Sequence, residues 1–258
     1  MLSYRNALLT ILFVSMLVIV LGWAFSWLSL WMVTLLLLIN LGWIIAASFH
    51  VCSNIYLNVH CSGPSAGNRL ALTFDDGPHP VHTPAVLDIL KKYDIKAGFF
   101  VIGKYAEIAE DLLRRIDTEG HCIGNHSYIH TNNYGFLSTK KLIADLSSNE
   151  KTIEEITGRK MRLFRPPFGV TNPNIARAVW SLRYTAVGWT IRSLDTMIKD
   201  PERVAERVNG KLRAGSIILL HDSHRRIVPA LEKIIVSARE KGYTFVSPDE
   251  LLNIKAYR

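Results

Sequence analysis

The feature that most constrains this chain is a run of 44 residues, from Asn6 to Phe49, that contains no Asp, Glu, Lys, Arg or His. As one α-helix the run would be about 66 Å long, roughly twice the hydrocarbon thickness of a bilayer. Two membrane-spanning helices therefore fit better than one, near Ala7–Phe25 and Leu28–Ser48, with a bend at the sequence FSWLS. Four tryptophans are candidate anchors at the membrane interface: Trp23, Trp27, Trp31 and Trp43.

A cleaved signal peptide is the competing interpretation of the first apolar segment. That segment is longer than a normal signal-peptide core, and a second apolar run follows it. We therefore predict that residues 1–50 form a membrane anchor and that the lipid bilayer is a partner. Arg5 favours a cytoplasmic N-terminus. Two spans would return the following domain to the cytoplasm, whereas one span, or removal of the first, would place that domain outside, so the side stays open.

The charge balance argues against one class of partner. The chain has 30 Lys and Arg residues against 22 Asp and Glu residues. The basic residues are scattered along amphipathic segments and no nucleic-acid-binding motif is present, so we expect no nucleic-acid partner. Three cysteines, Cys52, Cys61 and Cys122, form no CxxC pattern, which argues against a cysteine metal site. A disulfide between Cys52 and Cys61 stays an open alternative.

Beyond the anchor we expect a linker over residues 51–68 and a globular domain over residues 69–258. In the domain, short apolar runs alternate with segments of helical period, which predicts a parallel sheet with helices outside, closed or nearly closed into an α/β barrel. The predicted strands are Leu70–Phe74, Ala97–Ile102, Cys122–Asn125, Leu163–Arg165, Thr185–Thr190, Ser216–Leu220 and Thr244–Val246. The predicted helices are Pro84–Tyr93, Glu107–Glu119, Thr139–Thr157, Asn174–Leu182, Pro201–Leu212 and Ile227–Lys241.

Polar residues with catalytic potential follow five of the predicted strands. Reactive side chains of such barrels lie at the carboxyl ends of the strands, so these residues are expected to converge on one site. They are Asp75 and Asp76, His126 and His130, Arg165, Asp195, and His221 with Asp222. Taken alone, the first pair, in LTFDDGPHP, is equally compatible with a turn that merely closes a strand.

The two histidines of NHSYIH favour a metal site. His126 and His130 are four residues apart, so one helical turn would place both imidazoles on one side. With one carboxylate they supply three ligands and leave a position for water, which is the arrangement of catalytic zinc. If one of the adjacent aspartates binds the metal, its neighbour is free to act as a general base.

Two further motifs predict an electrostatic partner and a proton donor. Arg165 in RPPFG, fixed by two prolines near the carboxylates, would hold the free aspartate ionised. The alternative is a surface arginine beside a rigid turn. His221 in LLHD, at the end of an apolar strand, is suited to protonate a leaving group, or is simply a polar strand cap.

The motifs TFDDGP, HSYIH, RPPFG and LLH, in this order and at these separations, resemble the polysaccharide deacetylase family, also called NodB homology domains or carbohydrate esterase family 4. The resemblance covers roughly Arg69 to Leu252. It implies a distorted barrel of about seven or eight β/α units. It also implies a hydrolase that removes N-acetyl groups from N-acetylglucosamine in a chitin-like or peptidoglycan-like glycan, at a bacterial cell membrane.

The resemblance also assigns roles to the residues of the site. It implies that Asp76, His126 and His130 bind a divalent metal, with zinc expected. It further implies that Asp75 is the general base and His221 the general acid. Arg165 would orient Asp75, and Asp195 matches the family acid that pairs with that arginine. A backbone N–H in the Pro167–Gly169 turn is expected to help polarise the amide carbonyl.

One motif departs from the family pattern. Where many members have D-x-x-D-W, this chain has RSLDT, so Arg192 replaces the first acid and Thr196 replaces the tryptophan that helps wall the acetyl pocket. The substrate is therefore less constrained than the reaction. Two alternatives stay open: a deacylase or deformylase of a lipid-linked amino sugar, and a catalytically silent, membrane-tethered glycan-binding module.

Overall fold

The computed structural model describes residues 4–24 and 29–258 of the chain. Its helices are α1 Tyr4–Ala24, α2 Leu30–Ser48, α3 His82–Lys92, α4 Gly103–Ile108, α5 Glu110–Thr118, α6 Thr139–Thr157, α7 Pro173–Ser181, α8 Pro201–Asn209, α9 Ile227–Glu240 and α10 Pro248–Leu252. Its strands are β1 Val59–His60, β2 Arg69–Asp75, β3 Gly98–Val101, β4 Cys122–Asn125, β5 Leu163–Phe164, β6 Thr185–Val187, β7 Ile191–Arg192, β8 Ile217–His221 and β9 Thr244–Phe245.

The strands form one parallel sheet in the order β1-β6-β5-β4-β3-β2-β8-β7, and β9 pairs separately with β2. The central strands β2, β3 and β4 are buried along nearly their whole length. This is expected of parallel strands covered on both faces. Helices pack outside the sheet, with contacts between α6 and α7 and between α8 and α9. The predicted α/β class and parallel sheet are therefore confirmed.

The sheet curls strongly but does not close. Among the described residues β1 and β7 are its two edges, and no strand pairing joins them. The predicted strand Thr185–Thr190 ends early in the structure, as β6, near one edge of the sheet, and β7, which was not predicted, follows at the other edge. Since residues 188–190 connect them, the two sides of the sheet come within about 14 Å of each other. The expected seven- or eight-unit barrel is thus a curled half-barrel, because β1 occupies the free edge of β6.

The N-terminal helices pack against each other. Asn40 Nδ2 donates a hydrogen bond to Ser15 Oγ at 2.9 Å. By length and composition one helix, Leu30–Ser48, can cross a membrane, whereas the apolar part of α1, Leu9–Ala24, is shorter. Two membrane spans therefore stay a prediction. The predicted bend at FSWLS, apart from its last serine, and the candidate anchor Trp27 lie outside the described residues.

The segment over residues 51–68 differs from the linker that we predict there. Val51, Leu57 and Val59 are buried in the core, and β1 pairs with β6. Cys52 and Cys61 form a disulfide, which is the pairing that the sequence analysis left open. The segment packs on the globular domain through these three buried residues, with Cys52, Tyr56 and Cys61 packed against the same core. A two-residue strand has no periodicity from which it can be predicted.

Candidate active site

The two adjacent aspartates lie at the carboxyl end of β2 and face one cavity. Asp75 ends the strand, buried, and is in register with His221 on the neighbouring β8. Asp76 has a φ of +70°, a left-handed conformation that aspartate tolerates, and this turns its carboxylate toward the same side. A Cβ on the next residue, Gly77, would overlap the carboxylate of Asp222, so only glycine fits there. The backbone turn, rather than strand alternation, brings the carboxylates together.

Asp76, His126 and His130 place their ligand atoms within 4.8 Å of one another. Asp76 Oδ1 is 3.5 Å from Nε2 of each histidine. His126 Nδ1 must donate to Arg165 O, 2.9 Å away, because a carbonyl only accepts. Its Nε2 lone pair therefore faces the carboxylate, as in a metal-ligating histidine oriented by a backbone carbonyl.

These three residues fit a divalent cation. Asp76 Oδ1 is buried and has no hydrogen-bond partner, which is costly for a carboxylate oxygen unless something else binds it. One carboxylate and two imidazoles are a donor set that zinc accepts while keeping an open position. A non-helical turn, and not the predicted helical turn, brings the two histidines together, since Ser127 and His130 both have positive φ values.

The electrostatics of the cluster favour the protonation states that bind metal. Burial raises the pKa of Asp76, but the neighbouring imidazoles of His126, His221 and His130 outweigh burial and hold that pKa well below its usual value. Burial, together with the neighbouring His126 imidazole, lowers the pKa of His130 to about 4. An ionised carboxylate beside a neutral imidazole is the form in which both can act as ligands.

Arg165 reaches Asp75 from the opposite side of the curled sheet. Its Nη1 donates to Asp75 Oδ1 at 2.7 Å and to Thr73 Oγ1 at 2.8 Å. Its Nε and Nη2 donate to two carbonyls, Val187 O and Gly188 O. Burial lowers the pKa of Arg165, but the charge and hydrogen bond of Asp75 oppose that change. The predicted contact between Arg165 and Asp75 is therefore present, and the guanidinium is fully buried.

Asp195 pairs with His221, not with Arg165. Asp195 Oδ1 accepts a hydrogen bond from His221 Nδ1 at 2.8 Å, and Oδ2 accepts one from the His221 backbone N–H at 2.8 Å. The predicted pairing of Asp195 with Arg165 is wrong because the loop after β7 adjoins β8, whereas Arg165 follows β5. Burial opposes the charged imidazole, but Asp195 outweighs it and raises the pKa of His221 to about 9.

The carboxylates and the three histidines line a cavity of about 200 Å³. Phe168 and Trp189 supply aromatic walls, and Arg192 and Thr196 complete the rim. Trp189 lies close to the Pro167–Gly169 turn, since a Cβ on Gly169 would be 2.7 Å from its ring. An aromatic wall is thus present although Thr196 stands where the family has tryptophan.

Some residues around the site were not identified from the sequence as functional. Thr73 lies two residues before Asp75 and so on the same face of β2, a signal that strand alternation offers. Trp189 lies inside the predicted strand Thr185–Thr190, and nothing in that pattern indicated that its side chain lines the cavity. Asp222, noted only as the neighbour of His221, is fully buried beneath Gly77 and accepts a hydrogen bond from Thr83. Burial raises the pKa of Asp222 to about 7.

Comparisons with known proteins give a consistent result. The sequence profile of the polysaccharide deacetylase family matches residues 62–187. The peptidoglycan-N-acetylmuramic acid deacetylase PdaA of Bacillus subtilis is 34% identical over 203 residues, 76% of this chain and 76% of that protein. The peptidoglycan-N-acetylglucosamine deacetylase PgdA of Listeria monocytogenes is 33% identical over 72% of this chain, which spans 39% of that longer protein.

A solved structure extends the similarity to the fold. The peptidoglycan N-acetylglucosamine deacetylase Bc1960 superposes with a TM-score of 0.74 at 31% identity, over 78% of this chain and 95% of that one. Because the superposition covers 78% of this chain, it extends over most of the curled sheet. The half-barrel is therefore an architecture that the two proteins share.

Proposed function

The chain belongs to the polysaccharide deacetylase family, and from that premise we propose that its cavity hydrolyses the N-acetyl group of an amino sugar in peptidoglycan. The observation that carries this proposal is the convergence of three groups on one cavity: the Asp76–His126–His130 cluster, the Asp75–Arg165 pair and the Asp195–His221 pair. The products are acetate and a free amine.

Asp76, His126 and His130 are the residues that would hold a divalent cation, and zinc suits their donor set. When bound, the cation supplies acidified water and polarises the amide carbonyl. Metal analysis of the purified protein after loading with zinc tests this assignment. We expect close to one equivalent, and His126→Ala should lose it. Less than a tenth of an equivalent in the wild-type protein would refute the site.

Asp75 takes the proton from the attacking water in this proposal. Arg165 supports the role, because a guanidinium 2.7 Å from Asp75 Oδ1 stabilises the ionised carboxylate. The same contact leaves Asp75 Oδ2 toward the cavity, 3.8 Å from His126 Nε2. The base is thus held in one orientation without being a member of the metal-binding cluster.

His221 donates a proton to the departing amine. Its Nδ1–H is fixed by Asp195, so Nε2 points into the cavity, 4.0 Å from Asp76 Oδ2. The oxyanion donor is the backbone N–H of Phe168. Pro167 has no N–H, and the Gly169 N–H already donates to Pro166 O.

The substrate is proposed to be anionic. Arg192 is exposed at the cavity rim, and within the described residues no hydrogen bond or ion pair of its guanidinium is found. The two relatives named above act, by their names, on N-acetylmuramic acid and N-acetylglucosamine. Peptidoglycan carries lactyl and peptide carboxylates that chitin oligomers lack, so a guanidinium at the rim favours peptidoglycan.

A three-substrate assay tests the function. The zinc-loaded protein is given neutral N-acetylglucosamine oligomers, peptidoglycan fragments and a lipid-linked N-acylated sugar phosphate, and acetate or other acyl release is measured. We expect release from peptidoglycan above all. Activity only on the lipid-linked compound would replace the proposal with a lipid-linked sugar deacylase. No release from any substrate, with zinc bound, would leave a glycan-binding module.

A matched pair of variants tests the role of Arg192. Arg192→Gln should raise the KM for peptidoglycan fragments several-fold at low salt and leave the KM for neutral oligomers unchanged. Arg203→Gln removes the same charge from the exposed face of α8, away from the cavity, and should change neither value. Equal effects of the two substitutions would show that only net charge matters.

We also propose that α2 anchors the protein in a membrane with the catalytic domain on the cell-wall side. The uncharged helix supports the anchor. The disulfide between Cys52 and Cys61 supports an oxidising compartment, because such bonds are rare in the cytosol. A C-terminal alkaline phosphatase fusion should be active and a C-terminal fusion to a cytosol-dependent fluorescent protein should be dark. The reverse pattern would place the domain in the cytoplasm.

A further inference from the structure

An apolar groove of about 620 Å³ lies between the end of α2 and the loops at the cavity rim. Ile45 and Phe49, at the end of that helix, form one wall, and Phe136, Phe168 and Val170 contribute the other. Phe136 is 91% exposed, Phe49 69% and Phe168 51%. A concentration of three exposed phenylalanines beside one groove marks a binding surface rather than ordinary protein surface.

The groove adjoins the active site directly. Phe168 lines both the groove and the catalytic cavity. Its ring lies 4.6 Å from the ring of His130, between centroids, and its backbone is held at a φ of +58°. One side chain therefore separates whatever fills the groove from the proposed metal-binding cluster.

The position of α2 identifies the occupant. The helix carries no charged residue, and most of its residues outside the contact with α1 are exposed and apolar, a surface that a bilayer covers well. Ser48, its last residue, accepts a hydrogen bond at 2.9 Å from Thr171 N–H in the catalytic domain, so the groove opens where the helix would leave the hydrocarbon layer. Lys140 and Lys141, exposed four and five residues after Phe136, suit anionic headgroups.

We propose that lipid hydrocarbon chains fill this groove and that Phe49, Phe136 and Phe168 insert into the membrane interface. The rim of the catalytic cavity then rests on the bilayer surface. This inference rests on the proposed anchoring by α2. It adds a fixed orientation of the catalytic domain relative to the bilayer, which anchoring alone does not require. The enzyme is thereby directed to glycan that lies next to the membrane.

The test uses full-length protein in phospholipid vesicles, labelled one site at a time with an environment-sensitive fluorophore on an introduced cysteine. Cys122, the free native thiol, is buried. Phe136→Cys reports the groove. Trp180→Cys is the matched control, since Trp180 is 61% exposed near the end of α7, which leads to the amino ends of the strands. Leu37→Cys, on the exposed surface in the middle of α2, reports anchoring.

Quenchers attached to the lipid acyl chains distinguish the outcomes. We expect strong quenching at position 37, quenching at position 136 at least threefold above that at position 180, and a blue-shifted emission at position 136. Quenching at 37 with equal, weak quenching at 136 and 180 would overturn the groove as a lipid site and leave anchoring intact. Weak quenching at all three positions would overturn both proposals.

Discussion

The two ends of the parallel sheet are built from different chemistry. At the carboxyl ends lie buried ion pairs and non-glycine residues with positive φ, among them Asp76, His130, Phe168 and Leu194. At the amino ends, apolar side chains of the C-terminal segment close the sheet. These belong to a cluster that contains Cys122, Leu163, Ile217, Leu251 and Ala256.

We infer from this difference that the carboxyl ends of the sheet serve the reaction and that the amino ends serve the stability of the fold. Buried charges cost free energy, and the Asp75–Arg165 and Asp195–His221 pairs are retained where the substrate would react. Positive φ values also occur toward the amino ends, at Asn68, Asp94, Arg183 and Asn253, but these two ion pairs do not. There the contacts join the C-terminal segment to the sheet: Tyr257 Oη accepts a hydrogen bond from Ile123 N–H, and Arg162 N–H donates to Ala256 O. Substitutions at the two ends should therefore have opposite consequences, and four experiments test this.

The largest effect is expected for Asp75→Asn. The substitution removes the proposed base but no member of the metal-binding cluster, so kcat/KM should fall by about 10³-fold or more while zinc stays bound. Steady-state kinetics and zinc content measure the two quantities. Loss of zinc together with activity would mean that the two aspartates have exchanged roles, and retained activity would remove Asp75 from the mechanism.

Asp195→Asn should lower kcat by about 10²-fold with little change in KM, because His221 loses the carboxylate that stabilises its protonated form. Ser193→Ala is the control. Its hydroxyl donates to Asp195 Oδ1, so it probes the surroundings of the carboxylate without removing the charge, and its effect should stay below about tenfold. Comparable losses in both variants would indicate general disruption of the loop.

At the amino end, Leu251→Ala should lower the free energy of unfolding by about 2–4 kcal/mol, because it leaves a cavity in the buried cluster. The kcat/KM of the folded enzyme should change less than twofold. Urea denaturation and kinetics at low temperature measure both. Leu252→Ala, at a partly buried position next to it, should cost less. A large loss of kcat/KM in folded Leu251→Ala protein would contradict the separation of the two ends.

The smallest effect is a pH dependence at the start of β4. Burial, with the charge of Lys96, lowers the pKa of His121 to about 4. Between that value and the unfolded pKa near 6.5 the unfolded chain binds more protons, so stability falls as the pH falls. The contribution amounts to at most about 2 kcal/mol between pH 7 and pH 5.

His121→Asn isolates this contribution. Asparagine retains an acceptor for the Ala97 N–H, which His121 Nδ1 accepts at 3.1 Å, but it does not titrate. The variant should be less stable than the wild type at pH 7 and should lose less stability on going to pH 5. Urea denaturation of both proteins at both pH values gives the comparison. Equal losses would exclude His121 as a source of acid sensitivity.

Much of the site could be predicted because its residues follow strands. Strand ends of a parallel sheet meet at one edge, so Asp75, His126, Arg165 and His221 were expected together, and the structure brings them together. Their catalytic roles stay proposals. The same rule could not find the partner of Asp195, since that depends on which strands are neighbours. The order β2-β8-β7 is a property of the whole sheet.

Two parts of the fold could not be predicted from the pattern of apolar and polar residues. The strands β1 and β7, neither of which was predicted, have two residues each, too few for either a period of two or an apolar run. The curled sheet therefore could not be distinguished from a closed barrel, and residues 51–68 could not be distinguished from a linker. Both are decided by long-range pairing rather than by local preference.

The register of Asp75 with His221 has an evolutionary consequence. The two groups proposed to handle protons stand on adjacent strands, whose spacing of about 4.8 Å is set by the backbone ladder. A slip of one residue would turn either side chain to the other face, so this distance resists gradual change. Arg192 and Phe168 stand outside that paired ladder position, at the cavity rim. During evolution, substitutions at the rim can therefore change which glycan is bound, while the relative position of the two proton-transferring side chains stays the same.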